Sequence, residues 1–551
     1  MFVNADERVG VGMDRRNETV IVPGVTCWRS APANRYAPIV DGADYLRHVK
    51  AAMLNAQQRI VVIGWDLDYR TAFERDEATL EGPNNLGPFL NWLLCKRPEL
   101  NVYLLKSNLR LLPAFDGFWF GVVPVSLLNQ FTSARMHFAV DGVHPTGAVH
   151  HQKIVVVDDA VAFCGGIDLA LGRWDTRAHL PVDPRRHGPG DAYGPRHEVA
   201  AVVDGPAGEL LAEQARERWK AATGQALAKD VPFASPWPEG LRPALRNVEV
   251  AVARTLPALP QRSEVREIEA LDVAAIAAAR DVIYLENQYF ASRRIAEAIA
   301  TRLREQHGPE VVIILPRSSE SRLEQESMDS ARERLVRLLR GADLHGRLGV
   351  YWPVAGRGVS VYVHSKVIVV DGRLLRIGSS NFNNRSLGFD SECDVAIEAN
   401  PALANCAEVE REILFTRDSL VAEHLGVSVG DFRDELERCG AFRHGIEELR
   451  GTGRSLRKLT DTMMSADKGP FAENDLMDPD HVPPSIAQST LKLVESVVTW
   501  PLRRSLFGTW YQKLRGTDTN LTINESVLPT GDLAESLPSV PGTTEWDESS
   551  Q

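Results

Sequence analysis

The sequence predicts an α/β protein assembled from two similar lobes. A short motif, H-x-K followed by four apolar residues and Asp, begins at His151 and begins again at His364. In both halves of the chain, strand-like apolar runs alternate with segments whose apolar residues recur at helical spacing. Alternating strands and helices form layered α/β folds. Duplication of one lobe is the simplest origin of the repeated motif.

The repeat continues downstream of the motif. Gly165 and Gly166 begin 14 residues after His151, and Gly378-Ser379 begins 14 residues after His364. Asp168 and Asn381 follow at 17 residues in the two copies. Because residue types and spacing agree over this length, we interpret each copy as half of one active site.

The predicted elements of the two lobes correspond in order. In the first half, strands are predicted at 59–63, 102–105, 136–140 and 154–157, and helices at 43–57 and 85–94. In the second half, strands are predicted at 282–285, 311–315, 348–352 and 367–370, and helices at 273–279, 293–307 and 321–340. The continuous apolar runs predict strands that are buried on both faces.

A proline-rich connector at 231–243 separates the halves. We place an N-terminal segment at 1–34, the first lobe at about 35–240 and the second lobe at about 245–450. A C-terminal helical extension is predicted at 451–515, with its helix from 485 onward interrupted at Pro501. The tail at 516–551 has seven acidic residues and no Lys or Arg, so we predict that it is disordered.

Composition narrows the functional class. The chain has 551 residues, of which 44% are hydrophobic and 25% charged, as in soluble globular proteins. A net charge of -12 disfavours a general nucleic-acid binder, which usually has a basic surface. The six scattered cysteines predict reduced thiols. No apolar signal segment or membrane span is visible, so we expect a cytoplasmic or peripherally membrane-associated protein, with signal-independent export left open.

The repeated motif suits phosphodiester chemistry. Residues two apart on a strand share a face, so His151 and Lys153 point the same way, as do His364 and Lys366. One imidazole can attack phosphorus while the other protonates the leaving oxygen, and two ammonium groups can neutralise the phosphate. The phosphohistidine intermediate could then pass to water or to an alcohol. Because lysines supply the positive charge, no metal or other cofactor is predicted.

A nucleophilic histidine also needs its second ring nitrogen oriented, usually by a carboxylate. Glu198 and Glu392 each begin an apolar strand-like run downstream of a motif, and they are the candidate orienting pair. Asp158 and Asp371 are interpreted as structural residues that close the turn after each strand.

Other interpretations of these residues stay open. A single H-x-K before a valine-rich run is usually the polar start of a core strand, and the second matched copy is what favours catalysis. His144, His150 and His151 could be metal ligands, but no cysteine or carboxylate spacing completes such a site. The two glycine-containing turns could be structural, or their amides, with Ser379 and Asn381, could donate to phosphate.

These residues resemble the signature of the phospholipase D superfamily, in which H-x-K-x4-D occurs twice with G-G or G-S and then Asn downstream. Further segments are similar to those of phospholipase D proper. The run I-Y-L-E-N-Q-Y-F at 283–290, the stretch G-S-S-N…N-R-S…D-S-E at 378–392 and the segment V-D-G-P-A…R-W at 203–219 carry this similarity. The resemblance covers about 35–450.

The resemblance implies two lobes related by a pseudo-twofold axis with one active site at their interface. It also implies cleavage of phospholipids to phosphatidic acid and transfer to primary alcohols at a membrane surface. His151 would be the nucleophile and His364 the acid. The implied phosphate-binding residues are Lys153, Lys366, Asn381, Ser379 and Gly166, with Asp168 at a position where Asn is common in the family. Too few residues precede the first lobe for PX, PH or C2 domains, so a bacterial-type enzyme without implied calcium dependence is expected.

Three functions are consistent with the sequence. A phospholipase D is favoured by the E-N-Q-Y-F segment, and a cardiolipin synthase-like phosphatidyltransferase shares the two-motif architecture. A nuclease of the superfamily is disfavoured by the acidic balance, so no nucleic-acid partner is expected. Both motifs lie in one chain, so we expect a monomer, although the sequence does not exclude an oligomer. Aromatic and basic residues at 491–515 suit either a membrane interface or an amphipathic helix packed on the second lobe.

Overall fold

The computed structural model describes residues 19–108, 118–119, 123–187, 192–230, 234–321, 324–460 and 478–480. All of these residues belong to one structural unit. The predicted helix from 485 to 515 and the acidic tail lie outside the described residues, as does most of the predicted N-terminal segment. No helix in the described part of the chain is long and apolar enough to span a membrane.

The first half contains ten strands and four helices among its described residues. The strands are β1 (Arg29–Val40), β2 (Arg59–Gly64), β3 (Asn101–Ser107), β4 (Phe118–Trp119), β5 (Val123–Pro124), β6 (Met136–Asp141), β7 (Ile154–Val157), β8 (Val161–Gly165), β9 (Arg196–His197) and β10 (Val199–Asp204). The helices are α1 (Gly42–Leu54), α2 (Leu86–Lys96), α3 (Val125–Phe131) and α4 (Pro206–Thr223).

The described second half has a matching series. The strands are β11 (Leu245–Leu256), β12 (Val265–Arg266), β13 (Val282–Asn287), β14 (Glu310–Ile314), β15 (Leu348–Val354), β16 (Tyr362–Val363), β17 (Lys366–Val370), β18 (Leu374–Gly378), β19 (Glu392–Glu398) and β20 (Ser455–Lys458). The α-helices are α5 (Glu267–Ala278), α6 (Arg293–Arg304), α7 (Ser330–Ala342), α8 (Cys406–Leu425), α9 (Val429–Cys439) and α10 (Phe442–Leu449). Single π-helical turns occupy Gln325–Asp329 and Arg385–Phe389.

One large sheet runs through both halves, and its strand order is nearly symmetric. The central strands β1 and β11 pair antiparallel. Outward from β1 come β10, β8, β7, β2, β3 and β6, and outward from β11 come β19, β18, β17, β13, β14 and β15. Corresponding neighbours pair in the same sense, antiparallel as far as β2 and β13 and parallel beyond them. The predicted α/β fold with two pseudo-twofold lobes is confirmed.

The strands that follow the two motifs are buried along their whole length, as their apolar sequences predict. At the end of each of these strands the aspartate of the motif has a positive φ, 51° at Asp158 and 54° at Asp371. The carboxylate of Asp158 accepts backbone N–H groups from residues 57–59, each at 2.8 Å. Asp371 accepts the corresponding groups of residues 280–282 at 2.8–3.0 Å. Both aspartates therefore tie the end of one strand to the start of its neighbour.

Helix boundaries differ from the sequence expectation in the second half. Helix α5 begins at Glu267 rather than at 273, because the acidic first turn, with Glu267 and Glu269, favours a helix N-terminus there. Helix α6 begins at Arg293 as predicted, after Ser292, whose Oγ accepts the Ile295 N–H at 3.4 Å, but it ends at Arg304 rather than at 307. The segment predicted as one helix at 321–340 contains a π-helical turn before α7.

Candidate active site

The two H-x-K segments meet because each is hydrogen-bonded to the opposite lobe. The backbone N–H of His151 donates to Ser391 O at 2.9 Å, and that of His364 donates to His197 O at 2.8 Å. A Cβ atom on Gly166 would lie 3.2 Å from His364 O and 3.4 Å from Lys366 Cδ. A glycine at this position therefore permits the close approach of the second motif to the first lobe.

Each histidine is oriented by the glutamate of the opposite lobe. Nδ1 of His151 lies 3.0 and 3.1 Å from the carboxylate oxygens of Glu392 and 3.1 Å from Ser379 O. Nδ1 of His364 lies 2.8 Å from Oε2 of Glu198. The carboxylate accepts the Nδ1 proton of each ring. In the neutral ring Nε2 is then unprotonated, and in the protonated ring Nε2 is a donor toward the site. Among the described residues, neither Nε2 atom makes a hydrogen bond.

The two glutamates are held differently, which breaks the symmetry of the site. Oε2 of Glu392 accepts the Ser379 hydroxyl at 2.6 Å. Oε1 of Glu198 instead accepts the Arg196 guanidinium at 2.8 Å, and Arg196 also pairs with Glu320 at 2.8 Å. Glu198 is therefore supported by a guanidinium, whereas Glu392 is supported by a hydroxyl.

Both motif lysines are buried, and their ammonium groups are fixed by carbonyl oxygens. Lys153 Nζ donates to His151 O at 3.0 Å and lies 3.2 Å from Oδ2 of Asp168. Lys366 Nζ donates to His364 O at 2.6 Å and to Gln288 Oε1 at 3.1 Å. Each ammonium group thus lies beside the backbone of the histidine of its own motif.

The residues at the downstream positions of the repeat have different surroundings. Asp168 accepts the backbone N–H groups of Trp65 and Asp66 at 2.9 and 3.3 Å, so its carboxylate holds a loop as well as Lys153. The buried Asn381 side chain has an Oδ1 atom without a hydrogen bond within the described structure. The Ser379 hydroxyl donates to Glu392, which places this hydroxyl behind His151. Of these three side chains, Asn381 makes no hydrogen bond within the described structure; its Oδ1 can only accept, so its Nδ2 group would be the donor to a phosphate oxygen.

Burial controls the electrostatics of the site. It lowers the pKa of His151 and of His364 well below the ordinary 6.5, and the neighbouring lysines lower both values further. Burial likewise lowers the pKa of Lys366. It raises the pKa of Glu392 to about 8, and it raises the pKa of Glu198 against the opposing effect of Arg196. A phosphate anion would favour the charged form of the lysines and histidines on binding.

Sequence reasoning assigned no role to Arg196 or Gln288. Arg196 stands two residues before Glu198, so the period of a strand could have placed both on one face. Gln288 lies in the I-Y-L-E-N-Q-Y-F run, and the pattern of this run does not indicate that Gln288 contacts a lysine. His150, weighed as a metal ligand, has its ring nitrogens on the Ser391 hydroxyl and on Asp141.

The chain is similar to several known proteins. Residues 273–413 match the family described as cardiolipin synthase, PLD-like domain. The chain is 22% identical to phospholipase D1 of Schizosaccharomyces pombe over 539 residues, covering 78% of this chain and 39% of the relative. It is 24% identical to bovine phospholipase D2, covering 73% of this chain and 54% of the relative. The chain thus spans about half the length of these relatives. Phosphatidylserine synthase of Haemophilus influenzae aligns with a TM-score of 0.48 at 15% identity, covering 70% of this chain and 88% of that one.

Proposed function

The chain belongs to the phospholipase D superfamily, and we propose that it is a phosphodiesterase that cleaves the head-group bond of glycerophospholipids to give phosphatidic acid. The observation that carries the proposal is the crossed pair of histidine–glutamate contacts, His151 with Glu392 and His364 with Glu198. Two oriented imidazoles beside two buried lysines suit in-line displacement at a phosphodiester.

The proposed reaction has two displacements. In the first, Nε2 of His151 bonds to phosphorus, the bond from phosphorus to the head-group oxygen breaks, and His364 gives its proton to that oxygen. In the second, water gives a proton to His364 and its oxygen bonds to phosphorus as the bond to His151 breaks. Lys153, Lys366 and Asn381 hold the non-bridging oxygens throughout. A primary alcohol can replace water in the second displacement, which would give transphosphatidylation.

A phosphatidyltransferase is the second candidate, because the family model that matches 273–413 is named for cardiolipin synthase. It would use the same phosphohistidine intermediate, with the hydroxyl of another lipid as acceptor. The relatives named as phospholipases and the net charge of -12 favour a lipid over a nucleic acid. We propose that the chain acts as a monomer at a membrane surface.

A vesicle assay with ethanol tests the proposal. Mixed phospholipid vesicles and wild-type protein should yield phosphatidic acid and phosphatidylethanol, because ethanol and water compete for one intermediate. Lipid products are separated by chromatography, and His151→Ala serves as the inactive control. Cardiolipin formed from phosphatidylglycerol without phosphatidic acid would select the transferase. Intact lipid together with cleaved DNA would contradict both lipid functions.

We expect kcat/KM to fall as the pH drops below about 8, because burial raises the pKa of Glu392 to about 8. The first displacement needs a free Nε2 on His151, with Nδ1–H donated to the ionised carboxylate of Glu392. When this pair takes up a further proton, the imidazole no longer has a free Nε2. The check is a pH profile on a soluble short-chain phospholipid. A kcat/KM that rises steadily from about pH 8 to about pH 6 would contradict the proposed protonation states.

A further inference from the structure

A second group of buried ionisable side chains lies next to the active site and is not used in the proposed reaction. Four of them face a common centre and are here called the inner cluster: Asp41, His179, His197 and Glu423. The first three are 0% exposed and Glu423 is 7% exposed. They come from the β1–α1 junction, the loop before β9, β9 itself and α8. The fold thus joins residues from both halves of the chain.

The donor atoms of the inner cluster are spaced like the ligands of a single metal ion. His179 Nε2 and His197 Nδ1 each lie 3.0 Å from Oε1 of Glu423. Each nitrogen also lies 3.4 Å from an oxygen of Asp41. Ligands at about 2.0–2.1 Å from a tetrahedral zinc ion are separated from one another by about 3.3–3.4 Å. These nitrogen–oxygen separations are within a few tenths of an ångström of that value, and the two to Asp41 involve different oxygens, Oδ2 for His179 and Oδ1 for His197. All donor atoms of the cluster lie within 4.8 Å of one another.

The outer nitrogens of the two histidines also match a metal site. Nδ1 of His179 lies 2.9 Å from Asp175, and Nε2 of His197 lies 2.9 Å from Glu286. Histidine ligands commonly donate their other ring N–H to a carboxylate, which fixes the tautomer and makes the coordinating nitrogen more basic. Both rings can thus donate outward and coordinate inward as neutral imidazoles.

One oxygen of the inner cluster accepts no hydrogen bond. Oδ2 of Asp41 is buried and without a hydrogen bond within the described structure, and Nε2 of His179 lies 3.4 Å from it. The imidazole nitrogens nearest to Asp41 face Glu423 at the shorter distance of 3.0 Å. A buried carboxylate oxygen without a hydrogen bond costs free energy. A cation at the centre of the cluster would pair with this oxygen.

We propose that the inner cluster binds one zinc ion as a structural site. Two imidazole nitrogens and two carboxylate oxygens suit zinc, and four protein ligands with no open position are typical of structural sites. The ion would also support the active site. The Asp41 N–H donates to Glu198 O at 2.7 Å, and Asp41 Oδ1 accepts the Glu198 N–H at 3.1 Å. Zinc would therefore fix the backbone that carries Glu198, the partner of His364.

Metal analysis of an untagged chain, purified without chelator, tests this proposal. We expect about one zinc per chain, and a lower thermal midpoint after chelation because the ion binds the folded state. His179→Gln should lose the zinc. His187→Gln is the matched control, since His187 is an exposed histidine in the same loop, and it should keep the zinc.

Two results would overturn the zinc site. One is a folded wild-type chain that carries no stoichiometric zinc and takes up none when it is refolded with zinc chloride. The other is a folded His179→Gln variant that retains the metal. If this variant does not fold, the wild-type chain refolded with cobalt(II) decides, because a four-coordinate visible spectrum supports the site and a six-coordinate one excludes it. None of these readouts involves lipid cleavage, so failure here is distinct from failure of the proposed function.

Discussion

Replacing His151 with alanine is expected to lower kcat for phosphodiester cleavage by about 10⁴-fold or more, because the bond to phosphorus can no longer form at this ring. The loss should be as large for a good leaving group as for a lipid head group. His364→Ala should behave differently. In this variant the rate of the first displacement should be about 10²–10⁴-fold higher with a nitrophenyl diester than with a lipid head group, since nitrophenolate leaves without a proton.

The two variants can be compared in one experiment. In His364→Ala, the nitrophenyl diester should release one equivalent of nitrophenol and then stop, because the second displacement also needs His364 to accept a proton from water. Mass spectrometry of the trapped protein should place the adduct on the peptide that contains His151. His187→Ala, at an exposed position outside the site, should turn over normally. An adduct on His364 in the His151→Ala variant would reverse the two roles.

The repeated motif and the alternation of strand-like and helical segments predicted two similar α/β lobes, and the family resemblance implied their pseudo-twofold relation. The motif identified the strands that became β7 and β17, and duplication explains why β1 and β11 pair at the centre of a nearly symmetric sheet. The crossing of the glutamates was not visible in the sequence. It arises because β8 and β19 contact each other across the two halves, as Cys164 Sγ does with Cys393 O at 3.2 Å. The spacing of residues along the chain does not reveal that contact. The sequence therefore identified Glu198 and Glu392 as a pair but did not show which histidine each one contacts.

The differences between the two halves were also beyond sequence reasoning. Gly166 and Ser379 occupy equivalent positions, yet a guanidinium supports Glu198 and a hydroxyl supports Glu392. Such a difference depends on which side chains fill the space behind each carboxylate. The inner cluster is a further case. Its members are far apart along the chain, so sequence reasoning, which predicted no metal, did not bring them together.

Lys366→Met is expected to lower kcat/KM by about 10²–10³-fold, or about 3–4 kcal/mol of transition-state stabilisation. Methionine keeps much of the volume of this fully buried side chain but removes the charge that His364 O and Gln288 hold in place and that we propose binds the phosphate. The loss should appear mainly in kcat, because negative charge on the phosphoryl oxygens is redistributed in the transition state. Steady-state kinetics on a short-chain phospholipid provide the measurement.

Loss of a buried lysine could also reduce activity by destabilising the fold, and Lys50→Met separates the two effects. Lys50 is 0% exposed and pairs with Glu74 at 3.5 Å, but it touches neither motif. We expect Lys50→Met to lower the thermal midpoint while the folded fraction keeps its kcat. Lys366→Met should instead lose turnover even at temperatures where circular dichroism shows it fully folded. A folded Lys366→Met variant within about threefold of wild-type kcat/KM would mean that this ammonium group does not bind the reacting phosphate.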